Sequence, residues 1–291
     1  MAVYNLGSVN IDHFYAVPHL PQPGETLQAR SHSIGLGGKG TNQSVAAAKA
    51  GAHVSHIGAI GSGDTWVRER IEGYGVDCRF LAGLDTDTGH AIIYVDDHGE
   101  NVIVLDPGAN WQLDAGAVEQ ALAQATPSDT LMIQNETTLQ AQAAEQASKA
   151  GIRVIYSAAP FSVDAVRAVL PSVTMLVMNE VEAEQLCSAL GVTVETIPVP
   201  EVIVTLGSKG AKWRSNETGE SHVVAAPRVD AVDTTAAGDT YIGYVAAGLD
   251  LGKSVSEAME WAAKAAALKV TRHGTADAIP SADEVARFDP A

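Results

Sequence analysis

Cysteine and positive charge are the scarcest features of this chain of 291 residues. Cys78 and Cys187 are its only cysteines, too few for a disulfide framework or a structural zinc site, and a reducing compartment suits such a chain. Lys and Arg together number 18 against 35 Asp and Glu, a formal charge of −17. Nucleic acid and anionic membranes are bound by basic faces that displace counterions, so neither is an expected partner. Long apolar runs are absent as well. No stretch approaches the roughly 18 apolar residues of a membrane span, and the opening AVYNLGSVNID has neither a basic segment nor a cleavage site. The expectation is a soluble, cytoplasmic protein. A small polyanion could bind it only if backbone N–H groups and a metal ion did the work that scattered Lys and Arg cannot.

What the chain does have is a regular alternation of short apolar runs and helical spacing. Residues 3–9 read as a buried strand, and 11–17 and 26–34 as extended segments broken by the turn LPQPGE. An Ala-rich helix follows, with Thr41 as its cap and Gly51 as its stop, then a strand at 53–60 and a helix from 64 to about 75. Runs at 89–95 and 101–105 flank DDHGE and form a hairpin. From there helices at 114–125, 138–150, 162–169 and 180–190 alternate with strands at 129–134, 152–156, 174–178 and 201–206. Short strands at 211–214 and 221–225, a helix in the stretch 231–249, and helices at 254–270 and 281–288 complete the chain. That order predicts one three-layer α/β/α domain over 1–291, its sheet mostly parallel and covered on both faces. The segments at about 11–34 and 88–106 lie outside the alternation and supply a small β-sheet lid.

The stretch 231–249, AVDTTAAGDTYIGYVAAGL, organises the rest. Three small residues, Ala236, Ala237 and Gly238, open a helix without covering its free N–H groups, and an anion can approach there closely. Asp239 would repel a resting anion, but it is placed to take a proton from a hydroxyl attacking a phosphoryl group held on those N–H groups. An ordinary capped helix start explains the same residues equally well.

Other motifs are weaker. Gly35, Gly37 and Gly40 satisfy G-x-G-x-x-G, which would make the protein an NAD-dependent oxidoreductase, but the loop does not follow the first strand. LGKS at 251–254 lacks the first glycine of a P-loop and reads as a turn between helices. Asp85 and Asp87 form a turn, and His53 and His56 are core or edge residues of a strand. Asn179 and Glu182 match a capping box, and at the end of a parallel strand they could also order water around a nucleotide-bound Mg²⁺. Asn10 and Asp12 fall on one face just beyond the first strand, as two polar heads for vicinal hydroxyls would. Glu136 ends another central strand and could point the same way.

Taken together, GSVNIDH, PGET, GLGGKGTNQ, HGENVIVLDPGAN, MNEVEAE, VTLGSKG, AVDTTAAGDTYIG and VTRHGTADAIP resemble, in order and over nearly the whole chain, the ribokinase-like (PfkB) family of carbohydrate kinases. The resemblance implies a ribokinase-like fold in which Asp239 is the catalytic base and Ala236, Ala237 and Gly238 form the anion hole. It places Asn10, Asp12, Gly38, Lys39, Asn42 and Glu136 at the sugar. Asn179 and Glu182 match an N-x-x-E motif linked to Mg²⁺ and phosphate, and Thr205, Gly207, Ser208 and Gly210 match the nucleotide-binding segment. Asp233, Thr235, Lys269, Arg272 and Gly274 match the positions of an activating monovalent cation, K⁺ by expectation.

The implied activity is transfer of the γ-phosphate of ATP to a primary hydroxyl, with ribose as the leading substrate. Another pentose, deoxyribose or a nucleoside would fit the same residues, and a catalytically silent sugar-binding relative is the alternative outside enzymes. A homodimer joined through the lids is also implied. The chain departs from the pattern in three places. Ala278 stands where close members carry a hydroxyl. Ala236 stands where the wider family has glycine. GVTVETIPVP after Leu190 is too short for the additional helix usually found there, so helix 180–190 must itself make the crossing to the next strand.

Overall fold

β1 (Val3–Leu6) and β8 (Thr130–Ile133) are buried at all four of their positions, as strands must be when helices cover both faces of a parallel sheet. The computed structural model describes residues 1–290. It places β1 and β8 side by side near the middle of a nine-stranded sheet. On one side of β1 lie β4 (Val54–Gly61) and then β5 (Val76–Leu84). On the other side, beyond β8, come β9 (Arg153–Ser157), β10 (Met175–Asn179), β11 (Glu201–Thr205), β12 (Ala211–Ser215) and β13 (Ser221–Val224). All pairs are parallel except β11 with β12 and β12 with β13.

The chain runs outward in opposite directions from β1 and β8, so a crevice opens beyond their carboxyl ends, where open sheets of this kind bind ligands. One face of the sheet is covered by α1 (Lys39–Lys49), α2 (Thr65–Gly73), α7 (Ala237–Asp250), α8 (Val255–Val270) and α9 (Ala282–Arg287). The other carries α3 (Ala115–Leu122), α4 (Gln140–Lys149), α5 (Val163–Val169) and α6 (Glu180–Leu190). Each layer has its own apolar core.

A second sheet of four strands stands over the crevice, in the order β3 (Ser31–Gly37), β2 (Asn10–Ala16), β6 (Gly89–Val95), β7 (Asn101–Asp106). Those are the extended segments and the hairpin that fall outside the alternating pattern. The outermost strand, β7, is exposed at all six positions, although four of its residues are Val, Ile, Val and Leu.

Three local expectations are corrected. β5 is absent from the sequence reading: its run VDCRFLAGL mixes Asp and Arg with apolar residues because it is an edge strand, covered on one face only. Thr41 does not cap α1. The helix starts at Lys39, with Gly38 at its cap in a positive-φ conformation (φ 91°), and the Thr41 hydroxyl donates inward to the Ser8 carbonyl. Residues 26–30 form no strand, and β3 begins only at Ser31. The short crossing after Leu190 is made as expected: α6 alone joins the parallel strands β10 and β11, assisted by one 3₁₀ turn at Val194–Thr196. Among the described residues no helix is long and apolar enough to cross a membrane.

Candidate active site

At the carboxyl end of β1 the backbone of Gly7 and Ser8 lies against the first turn of α1. A Cβ on Gly40 would sit 2.4 Å from Gly7 Cα, so only glycine allows this approach. A Cβ on Gly37 would meet the Asp12 carboxylate, so a larger residue there would have to displace that side chain. These contacts account for two of the glycines of G-x-G-x-x-G. They bring backbone against backbone and carboxylate, and the motif lies between the smaller sheet and α1 rather than after β1, so the dinucleotide reading is set aside.

The close approach gathers polar groups. Glu136, just past β8, accepts from the Ser8 hydroxyl and, at 2.9 Å, from the Lys39 N–H. Asn10 and Asp12 are both buried on one face of β2. Asn10 is held by a residue that sequence reasoning passed over: Asn110 donates to its Oδ1 at 2.8 Å and also brackets Val9, accepting from its N–H and donating to its carbonyl. Burial, with the charge on Glu136 second, pushes the Asp12 carboxyl up to about 7. Burial also raises Glu136, against the pull of Lys39 and the Ser8 hydroxyl. The Lys39 ammonium is held above its ordinary value, first by Asp239 and then, against its burial, by Glu136 and Glu182. Lys39 thus stands in the field of carboxylates from three separate segments of the chain.

Asp239 lies in the first turn of α7, only 9% exposed. Asn42 donates to its Oδ2 at 3.1 Å and Gln43 to its Oδ1 at 3.0 Å. Gln43 is itself held by Gln134, which also binds Asn5, so a chain of amides runs from β1 to the carboxylate. The spacing between α1 and α7 makes this geometry possible, and Gly243 sets it: a Cβ there would fall 2.5 Å from that of Ala46. Asn42 Oδ1 is buried and has no partner among the described residues, leaving one acceptor beside Asp239 free for a ligand.

Ala236 precedes α7 in a left-handed conformation (φ 58°), which costs a non-glycine residue about 1 kcal/mol or more. No acceptor among the described residues takes the N–H groups of Ala236, Gly238 or Asp239. The space where a Gly238 Cβ would lie is open. Together these features form a cradle for an anion at the positive end of a helix of 14 residues.

Beside the cradle is a cavity of about 390 Å³. Thr205, Gly207, Ser208 and Gly210 line one side of it, and Ala263, Ala266, Ala267 and Val270 of α8 line the other, with Ala237, Gly238 and Tyr241 at its inner end. Gly210 has φ 106° and would clash at 1.9 Å with the Val224 carbonyl if it carried a Cβ. Asn179 and Glu182 form a complete capping box, Glu182 Oε2 accepting the Asn179 N–H at 2.8 Å and Asn179 Oδ1 accepting the Glu182 N–H at 2.9 Å. Among the described residues no group of three or more His, Cys, Asp or Glu could hold a metal on its own. A Mg²⁺ carried on phosphates needs only one carboxylate and water from the protein, and Glu182 has a second oxygen to offer, so the donor set fits.

The five positions matched to a monovalent cation do come together, but they do not fit the ion. Asp233 Oδ1 accepts from the Thr235 N–H at 2.8 Å and Oδ2 from the Gly274 N–H at 2.9 Å. The Asp233 carbonyl, which an ion would need, accepts from the Lys269 ammonium at 3.1 Å. The Lys269 carbonyl accepts the Arg272 N–H at 3.0 Å, and the Arg272 guanidinium is turned away onto Glu284. At the place where K⁺ is expected, an ammonium of the chain itself therefore occupies the Asp233 carbonyl.

The chain matches the model of the pfkB family of carbohydrate kinases over residues 3–282. It is 37% identical over 300 residues to the ribokinase of Haemophilus influenzae, covering 97% of this chain and 96% of that protein. Among solved structures it resembles a ribokinase of Cryptococcus neoformans in complex with ADP, with a TM-score of 0.83, 32% identity and 98% of each chain covered. A ribokinase of Arabidopsis thaliana complexed with ribose and ATP aligns with a TM-score of 0.84, 27% identity and 99% of each chain covered. The chain belongs to the pfkB family of carbohydrate kinases.

Proposed function

We propose that this carbohydrate kinase uses ATP to phosphorylate the primary hydroxyl of ribose, giving ribose 5-phosphate. The observation that carries the reading is Asp239, fixed by Asn42 and Gln43 next to a row of free N–H groups: a proton acceptor and an anion hole in one turn of helix. The relative that is a ribokinase, and the ribokinase structures that hold ADP or ribose and ATP, support the choice of substrates.

In this reading the whole chain, 1–291, works as one unit with the smaller sheet as its lid. Asn10, Asp12, Lys39, Asn42 and Glu136 bind the sugar hydroxyls, and Gly38 lets the backbone approach them. Asp239 accepts the proton of the attacking hydroxyl while the N–H groups of Ala236, Gly238 and Asp239 hold the transferred phosphoryl; that of Ala237 is taken by the Thr234 carbonyl. The nucleotide lies in the cavity between Thr205–Gly210 and α8. Glu182, with Asn179 fixing one of its oxygens, would hold through water a Mg²⁺ that neutralises charge on the ATP phosphates. Closing the lid excludes water, so that the sugar and not water receives the phosphoryl.

The exposed apolar strand β7 supports a homodimer in which lids pair, because an unprotected edge of this kind is otherwise an aggregation hazard. Val104→Lys should shift the protein to the monomer in light scattering, and an unchanged mass would remove this part of the reading.

The activity is tested by ATP consumption over a panel of pentoses, deoxyribose, hexoses and nucleosides. Ribose should give the highest kcat/KM. Turnover confined to nucleosides would replace the substrate, and no ATP consumption with any acceptor would overturn the reading.

A further inference from the structure

Lys269 sits in the last turn of α8 and its side chain is 0% exposed. An ammonium buried to that degree persists only when anions and carbonyls repay its lost hydration. Its partners all belong to the loop that feeds the anion cradle. Nζ donates to the Asp233 carbonyl at 3.1 Å and lies 3.9 Å from Asp233 Oδ1. The N–H groups of Val232 and Asp233 bond in turn to the Val270 carbonyl, so loop and helix end are stitched together around the ammonium. Burial pulls Lys269 below its ordinary value, while Asp233 and then Asp239 pull it up, so the charge is felt at the carboxylate in the cradle itself.

We propose that the Lys269 ammonium is a tethered replacement for a monovalent cation beneath the anion cradle, and that this protein therefore needs no K⁺. An ammonium and a potassium ion are close in size and charge, and both seek carbonyl oxygens. Here the ammonium already holds the carbonyl that a free ion would need, Ala278 offers no hydroxyl to complete a shell, and the Lys269 carbonyl is committed to the Arg272 N–H. The tethered charge does what a bound ion would do: it balances Asp233 and Asp239 where a phosphoryl group must be accepted, and it fixes the carbonyl of residue 233, three positions before the left-handed Ala236. Because it is covalently held, it requires no ion concentration and no binding step.

The activity arm of the test rests on the proposed kinase reading; the binding arm does not. Phosphorylation of ribose is measured after exchange into choline chloride, NaCl, KCl or CsCl. The wild type should show the same kcat/KM in all four, whereas Lys269→Ala should fall by roughly one to two orders of magnitude in choline and recover in KCl. Separately, thermal melting without substrates should show no difference between KCl and choline for the wild type. It should show stabilisation of Lys269→Ala by KCl alone, since an ion that binds only the folded state raises its stability. Lys269→Met, which keeps the length without the charge, should also lose activity in choline and replaces the alanine variant if that one does not fold. A wild type activated by K⁺, or stabilised by it in melting, would overturn the proposal, as would a Lys269→Ala enzyme fully active in choline. If no acceptor is phosphorylated in any salt, the kinase reading fails while the melting comparison still decides the role of Lys269.

Discussion

On the side of the crevice bounded by β2, the start of α1 and Glu136, polar heads are held by other polar heads. Asn110 grips Asn10, the Ser8 hydroxyl and Lys39 N–H grip Glu136, and Asn42 and Gln43 grip Asp239. On the other side, between Thr205–Gly210 and α8, the wall is mostly alanine, glycine and valine, with Thr205, Ser208, Arg228, Thr234 and Tyr241 as its polar members. The first side can discriminate, because a ligand lacking a hydroxyl leaves a fixed buried group unpaired. The second offers a flat base mainly shape and apolar surface, with few polar groups to read its edge. Selectivity for the acceptor should therefore be strict and selectivity for the nucleotide loose.

Four measurements would break or sharpen that contrast. Asp239→Asn should lower kcat by about two to four orders of magnitude while calorimetry still detects sugar binding; near-normal turnover would remove the base from the mechanism. Asn110→Ala leaves Asn10 Oδ1 without its donor, and the sugar KM should rise roughly tenfold or more with the ATP KM unchanged, which a general loss of structure would not produce.

The third measurement is a pH profile. Asp12 titrates at about 7 in the unliganded protein, raised above the ordinary carboxyl value of 3.8. Sugar hydroxyls that donate to its ionised form would hold that value down. Binding below pH 7 then releases a proton, and affinity should climb by up to about tenfold per pH unit as pH rises toward 7 and level off above it. Calorimetry in buffers of different ionisation enthalpy reads that proton directly. The same shift makes the unliganded fold lose stability as pH rises from about 4 to about 7, and Asp12→Asn should flatten both slopes. The smallest effect belongs to the apolar side: Ala266→Leu, which intrudes on the cavity, should raise the ATP KM only by about a factor of a few and leave the sugar KM alone.

The difference between the two sides also explains what could be read in advance. The alternation of helices and strands from residue 114 onward, the four strands outside it and the single-helix crossing after Leu190 follow from periodicity and length, which are local properties. β5 escaped because an edge strand is covered on one face only and so loses the continuous apolar run. Asn10, Asp12, Glu136, Asn179, Glu182 and Asp239 could be singled out as candidates because the sequence puts them near the ends of apolar runs or at a helix start. Ser8, Gln43, Gln134 and Asn110 could not be, since no local pattern marks a hydroxyl or amide whose partner is far away: Gln43 lies 196 residues from Asp239, and Asn110 is 100 from Asn10.

By itself the sequence determined the layers, the family and the small-residue turn that opens α7, because each is written in spacing or in an ordered set of motifs. Only the tertiary structure decided how the buried groups pair. Thr41 looked like a cap and turned inward to the Ser8 carbonyl. Lys269 stood among positions matched to a metal ion, where a ligand would act through its backbone, and the fold put its ammonium on the Asp233 carbonyl instead. The physical reason is common to both: a buried donor must find an acceptor, and which acceptor lies within 3 Å or so is set by packing between distant segments, not by neighbours in the chain.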